Sequence, residues 1–379
     1  MALAALALFA GLILYSYVVY PILLWVLAAI LGRRSRAEES YTPSVSVLIP
    51  AYNEEEVIGR KIENTLALDY PSEKLEIIVA SESTDGTDEI ARRYAGKGVR
   101  LLPSAVRRGK VANLNRAVPE SRGEILMFTD ANAMVGPGAL RKLVRHLADP
   151  RIASVSGRLT YANPGGGSAG ESEGLYWGME QIIKRASSRL FSLPGANGSL
   201  FAVRRECHRP ISEDRGDDFE IPIRCIVDGR GSILEPEAVS VEEATGGFVQ
   251  EYRRKVRIIN WMLRSALILL LEAVRRGRWL LAFQLLSHKI NRWAVPFWLA
   301  GLFAANLFLL DEGWFFQATA AAQAAFYALA LLSLAVDRLV TPLRGLLGIP
   351  AYFIVVNAAS LVGVVTCLAG REVAWHKTR

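Results

Sequence analysis

The sequence predicts an α/β protein: a domain built on a mostly parallel sheet and flanked by transmembrane and interfacial helices. Three observations carry that expectation. Short β-rich apolar runs alternate with helical stretches in the first half of the chain, the pattern of a parallel sheet covered by helices. Both ends are apolar over lengths that match a bilayer. Ahead of the C-terminal apolar block, cations and aromatic residues interleave, as they do in helices lying at a membrane surface.

Residues 3–31 are apolar almost without interruption and run into Arg33, Arg34 and Arg36, so 1–36 reads as a membrane-crossing segment. A cleaved signal peptide would carry its positive charge before a shorter apolar run. Here the charge follows, which keeps the next part of the chain in the cytoplasm.

Residues 37–249 then form the cytoplasmic domain. Val45–Ile49, Glu76–Ala80, Val99–Leu102 and Ile125–Phe128 are the expected strands, with helices starting after Asn53 and after Asp85. The segments 152–156, 199–204 and 232–235 extend the sheet, and Asn163–Gly170 is a Gly-rich loop. From Gln250 to Arg292 there are ten basic residues against two acidic ones, so 250–293 reads as amphipathic interfacial helices. Residues 294–379 hold candidate spans near 294–310, 313–336 and 349–369. Four crossings would leave both termini outside, whereas Arg371, Lys377 and Arg379 favour a cytoplasmic end. A last segment that is re-entrant or interfacial would reconcile the two.

The composition is 51% hydrophobic with mean hydropathy +0.23, and the apolar excess sits at the ends. The net charge of +7 suits anionic lipid and phosphorylated substrates. Cys207, Cys225 and Cys367 have no metal-ligand spacing, and the four histidines form no usable constellation. The basic stretch is assigned to lipid, and no nucleic acid is expected.

In open α/β sheets, ligands bind beyond the carboxyl ends of the strands. Three polar loops fall there: Pro50 to Glu55 after the first strand, Ser81 to Thr87 after the second, and Thr129-Asp130-Ala131-Asn132 after the fourth. Alone, Asn53 and Asp85 suit helix caps, and the Asp130 segment suits a polar turn. Their order at successive strand ends points instead to a shared cleft.

VSVLIPAYNEEEVI at 45–58, SESTDGT at 81–87, RRGKVANLN at 107–115, FTDANA at 128–133 and GDDFEIPIR at 216–224 together resemble the family 2 glycosyltransferases of the GT-A, Rossmann-like fold. The resemblance is to the membrane branch containing cellulose, chitin, poly-N-acetylglucosamine and hyaluronan synthases. It implies an inverting, metal-dependent hexosyltransferase that uses a nucleotide sugar donor. Pro50, Tyr52, Glu54, Asp85, Lys110, Asp130, Gln250 and Arg253 match donor-binding positions. A carboxylate such as Asp85 can accept the imide N–H of uracil, so a UDP-sugar is expected; guanine also offers an N–H, and a GDP-sugar stays open.

Asp130 matches the first acid of the family's DxD motif, and Asn132 stands at its last position, a neutral oxygen where the family has a carboxylate. This pair is the implied site for Mg2+ or Mn2+. Asp217 and Asp218 match the TED motif, with Asp218 at the position of the catalytic base. Lys110 would offset phosphate charge or be an ordinary solvated lysine. Gln250 and Arg253 fit Q-x-x-R-W, but Arg254 replaces the tryptophan, and a guanidinium favours phosphate or carboxylate over a neutral sugar face.

The reading that follows is sugar transfer to a growing polysaccharide at the cytoplasmic face of the cell's inner membrane. Single-sugar transfer to a polyprenyl phosphate or glycolipid is one alternative, and a non-catalytic scaffold of an assembly complex is another. The acceptor is a saccharide or lipid-linked molecule, the bilayer is a partner, and a homo-oligomer or secretion subunits are left open.

Overall fold

The computed structural model describes residues 1–162, 168–243, 248–336 and 344–371. Most of the expected Gly-rich loop, the basic run around Arg338, and Lys377 and Arg379 lie outside those residues.

The chain opens with helices α1 (Ala2–Leu14) and α2 (Tyr20–Leu31), joined without a break through a π-helical turn at Tyr15–Val19. The domain follows. Strand β1 (Val45–Ala51) leads to α3 (Ile58–Leu66), β2 (Leu75–Ser81) to α4 (Thr87–Arg92), and β3 (Val99–Pro103) to α5 (Lys110–Glu120). Next come β4 (Ile125–Phe128), β5 (Met134–Val135), α6 (Ala139–Val144), β6 (Ile152–Tyr161) and α7 (Ser168–Arg189). Strand β7 (Phe201–Arg204), α8 (Asp217–Val227) and β8 (Gly231–Glu242) complete it.

The eight strands form one sheet in the order β3-β2-β1-β4-β7-β6-β8-β5. Strands β1 to β4 pair in parallel, whereas β7 runs antiparallel to both β4 and β6, and β5 is antiparallel to β8. All seven expected strand segments are strands, and the added two-residue β5 is too short to carry a pattern. Both faces of the sheet are covered. Val45, Val47 and Ile49 pack with Ile58 and Ile62 of α3 on one side, while Leu48, Ile78 and Leu126 pack with Val111 and Leu114 of α5 on the other. A strand buried on both faces reads as a continuous apolar run, as β1 does.

Beyond the sheet lie α9 (Phe248–Arg275), α10 (Trp279–Gln284), α11 (Asn291–Leu307), α12 (Trp314–Val336) and α13 (Arg344–Leu368). Helix α9 buries Val256, Ile259, Leu263, Ala266 and Ala273 and leaves Leu267, Leu271 and Val274 exposed, so it is apolar on more than its packed face. Among the described residues, three helices are long and apolar enough to cross a membrane: Ala2–Leu31, Trp314–Leu334 and Ile349–Leu368. The fourth expected span, around 294–310, is helical as α11 but is not one of the three; its 17 residues pack along α1. There the helices approach closely, because a Cβ at Gly301 would stand 2.6 Å from the Phe9 ring. Leu3, Leu8, Ile22, Trp25 and Ile30 remain exposed on the first helix, a surface that calls for lipid.

Candidate active site

The first two loops interlock. Asn53 takes a left-handed backbone, φ +54°, which asparagine tolerates better than most residues. Its amide N–H donates to Ser83 Oγ at 2.9 Å, and its Oδ1 accepts from the Thr84 N–H at 2.8 Å. Asn53 is therefore not a helix cap: α3 begins only at Ile58, and the asparagine ties the β1 loop to the β2 loop. The Glu54 N–H donates to Thr87 Oγ1 at 2.8 Å. Asp85 does act as a local cap, its carboxylate accepting from the Thr87 N–H at 3.0 Å and from the Glu55 N–H at 3.3 Å. Burial opposes its ionisation, but these hydrogen bonds hold its pKa below the usual value. Pro50, next to last in β1, pairs with Ala80, and Tyr52 stacks under the Arg107 guanidinium at 3.9 Å from the ring centroid.

The third loop meets the start of two helices. Gly109, at φ +105°, turns the chain into α5, and its N–H is held by the buried Glu82 at 2.8 Å; only glycine adopts that backbone without strain. Lys110 then stands first in α5, its Nζ 2.8 Å from Asp130 Oδ1 and 3.1 Å from Asp217 Oδ2. Thus Asp130 and the Asp217-Asp218 pair, some ninety residues apart in sequence, share one charge cluster around a lysine. Burial works against the Lys110 charge, but the three carboxylates outweigh it and hold its pKa well above the normal range.

Asp218 is pushed up to about 6, first by burial and then by neighbouring Asp217. Asp217 is also raised, by burial above all, although Lys110 opposes the shift. Two glycines fit around the Asp218 carboxyl: a Cβ at Gly198 would lie 3.1 Å from Oδ2, and one at Gly216 would lie 3.2 Å from Oδ1. The Ala196 N–H donates to the Asp218 carbonyl at 2.6 Å, so the loop before β7 is moulded to this residue. Its neighbour Glu220 has a different job, pairing with Arg215 and Arg224 and accepting from Ser265 Oγ at 2.8 Å, which docks α8 on α9.

Gln250 and Arg253 are exposed at the start of α9. The arginine that feels the carboxylates is Arg257, one turn further on, pushed down to about 10 by burial and by Arg254, against the pull of Asp130 and Asp218. Arg257 shares the helix face of Arg253 by i, i+4 spacing, which was the available signal for it. Lys61 was also missed. It is fully buried on α3 and donates to Thr129 Oγ1 at 2.7 Å and to the Ala133 carbonyl, bracketing the Asp130–Asn132 turn. A lysine in an apolar helix face gives no warning of this, because the partner loop lies some seventy residues away.

A divalent ion at this site would find the Asp130 carboxylate and the Asn132 amide oxygen; no group of three acidic, histidine or cysteine ligands occurs among the described residues. Mg2+ and Mn2+ are commonly held by one or two carboxylates with substrate phosphates and water, so the residues present fit such an ion.

Residues 46–211 match the family model Glycosyl transferase family 2. The chain carries a family 2 glycosyltransferase domain. Its relatives include Glycosyltransferase AglE of Haloferax volcanii, 32% identical over 160 residues, covering 41% of this chain and 53% of that one. The probable glycosyltransferase YdaM of Bacillus subtilis is 29% identical over 231 residues, covering 57% and 54%. The chain thus spans about half the length of these two curated relatives. Among solved structures, the mannosyltransferase PcManGT of Pyrobaculum calidifontis, in complex with GDP-Man and Mn2+, superposes with a TM-score of 0.70 at 26% identity. That superposition covers 98% of this chain and 99% of the other. The fold is GT-A, and the flanking helices belong to the similarity as well.

Proposed function

We propose that the chain is an inverting, divalent-metal-dependent hexosyltransferase that moves a sugar from a nucleoside diphosphate donor to an acceptor hydroxyl at the cytoplasmic face of the cell membrane. The observation that carries this is the convergence of Asp130, Asp217 and Asp218 on Lys110. A scaffold that only organised other proteins would have no use for acids gathered around one lysine at the carboxyl end of a sheet.

The interlocked loops bearing Tyr52, Glu54 and Asp85 receive the nucleoside, and Pro50 stands next to last in the strand beneath it. Lys110 and Arg257 stand where they can offset diphosphate charge; Gln250 and Arg253, on the exposed start of α9, would have to reach the donor from the rim. Asp130 and Asn132 would hold Mg2+ or Mn2+, which supplies charge neutralisation to the leaving diphosphate. Asp218 takes the acceptor proton; a carboxyl near 6 is a better base at neutral pH than an ordinary aspartate. Asp217 keeps that affinity for protons high by lying beside it.

The donor is a UDP- or GDP-sugar. The full-length structural neighbour was solved with GDP-Man and Mn2+, which makes GDP-mannose the first donor to test, ahead of the UDP-sugars that Asp85 alone suggests. The proposed partition is a membrane segment at 1–36, the catalytic domain at 37–249, interfacial helices at 250–293 and a membrane region from 294 onward. Two candidate spans follow the domain among the described residues. They return Arg371 to the domain's side, in line with the cytoplasmic preference of its charge. Polysaccharide extension and transfer to a lipid-linked acceptor share this chemistry.

The test is to incubate purified full-length protein with a panel of GDP- and UDP-sugars, with Mn2+, with Mg2+ and with chelator, and to measure released nucleoside diphosphate. Release from one donor that depends on metal is expected. Release that is unchanged in excess chelator would remove the metal from the account.

A further inference from the structure

A cavity of ≈ 220 Å³ opens beside Asp218, and its lining includes none of Tyr52, Asp85, Lys110 or Asp130. It is a chamber that Asp218 lines and those donor-loop residues do not. Its wall also includes Tyr17, Asn357 and Ser360, which stand on the first and last membrane helices. The same chamber therefore touches the Asp218 carboxylate and the inward faces of two candidate membrane helices.

Its charge is lopsided. Lys184, Arg254, Lys255, Lys289 and Arg292 line it, against Glu180 and Asp218. Glu180 accepts from His288 at 3.1 Å and pairs with Arg292, while Glu251 pairs with Arg254 at 2.7 Å and with Lys255 at 3.1 Å. Among the described residues, the lining is thus richer in cations than in carboxylates. Lys184 and Lys289 are both pushed down by burial, and Lys184 adds to the shift of Lys289. A cavity lined by this many cations suits an anionic ligand.

We propose that this chamber binds the phosphate of a lipid-linked acceptor and thereby presents the acceptor's sugar hydroxyl to Asp218. The inference rests on Asp218 being the base. A base is needed only if the nucleophile carries a proton, so the attacking atom is a hydroxyl, and the anion that the cations hold is a separate part of the same molecule. Guanidinium and ammonium groups in this arrangement favour phosphate over the faces of neutral sugars. In the step itself, the hydroxyl proton passes to Asp218 and the hydroxyl oxygen bonds to the anomeric carbon of the donor. The bond from that carbon to the diphosphate oxygen breaks, the nucleoside diphosphate leaves with the electron pair, and the acceptor phosphate is unchanged.

The experiment uses the full chain in neutral phosphatidylcholine nanodiscs with whichever donor the release assay selects. Three acceptors are compared: an isoprenyl diphosphate-linked hexose, the same isoprenyl hexoside without phosphate, and a soluble hexose 1-phosphate. The readouts are nucleoside diphosphate release and the mass of the product. The phosphate-bearing lipid is expected to show a kcat/KM at least about tenfold above either comparator, the loss typical of one charge-assisted hydrogen bond. Lys184→Gln and Lys289→Gln should each raise KM for that lipid by about tenfold while leaving KM for the donor in place, and Lys289→Arg should recover most of the loss. Equal kcat/KM on the two lipids, or an unchanged lipid KM in both glutamine variants, would overturn the acceptor inference while leaving the transferase reading intact. Equal use of the soluble hexose phosphate would overturn its lipid half. Absence of release with every donor and acceptor would overturn both.

Discussion

Asp218 sits in a confined place, with glycine backbone against each carboxyl oxygen, a second acid beside it and Lys110 close by. Because a base must be deprotonated to work, and burial holds this one near 6, kcat/KM for transfer should fall by about tenfold per pH unit below about 6 and level off above it. The neighbouring acid titrates with it, so the limb belongs to the pair. A profile flat down to pH 4.5 would contradict the assignment. Gly198→Ala tests the fit around the carboxyl: the new methyl would meet Asp218 Oδ2 at 3.1 Å, tight enough to turn it. We expect kcat to drop about tenfold or more, as misplaced catalytic groups do, with thermal stability little changed. At this scale the sequence was informative where a residue belonged to a motif, as with Asp85, Lys110, Asp130 and Asp218. It was silent on Gly198, Lys184 and Lys289, whose importance comes from what lies opposite them across a fold that no local spacing reveals.

The elements act through what they bracket. Helix α3 is an ordinary amphipathic helix except that Lys61 points inward, and its ammonium ties Thr129 and Ala133 at the two ends of the Asp130 turn. Lys61→Met should leave the Ala133 carbonyl without this donor and loosen the turn, raising the metal concentration needed for half-maximal activity; an unchanged metal requirement would show that the turn holds itself. Burial pushes Lys61 down to about 7, whereas the unfolded chain keeps its lysine charged to about 10.4. Between those values the unfolded state binds more protons, so stability should rise with pH across that window. Chemical denaturation at pH 7 and pH 9.5 should show the rise in the wild type and a smaller one in Lys61→Met. Strands were legible because alternation and apolar runs are local properties. The antiparallel pairing of β7 and the start of α3 at Ile58 were not, since both depend on partners distant in sequence, as with Asn53 crossing to Ser83 and Thr84.

On the scale of the whole molecule, the sheet and the membrane helices meet at the base. Helix α9 contacts α8 on one side and α13 on another, and α13 comes close enough that a Cβ at Gly363 would lie 2.9 Å from the Val256 carbonyl oxygen. Asp218 and the apolar helices are thus parts of one packed body, and on the proposed reading an acceptor hydroxyl would reach Asp218 from the side of those helices. The apolar ends and the basic stretch were plain from composition. The shortfall of α11 as a span was less so: its 17 residues open on Asn291 and Arg292, which leaves less apolar length than the roughly 20 residues a crossing needs. The most direct measurement of the central claim compares Asp218→Asn and Asp130→Asn, each assayed for donor binding by calorimetry with Mn2+ and for single-turnover transfer. Two acids in one pocket with separate tasks predict a split: Asp218→Asn binds the donor with near wild-type affinity yet transfers at least about a hundredfold more slowly, whereas Asp130→Asn loses metal-dependent donor affinity first. Transfer by Asp218→Asn at the wild-type rate would contradict the account.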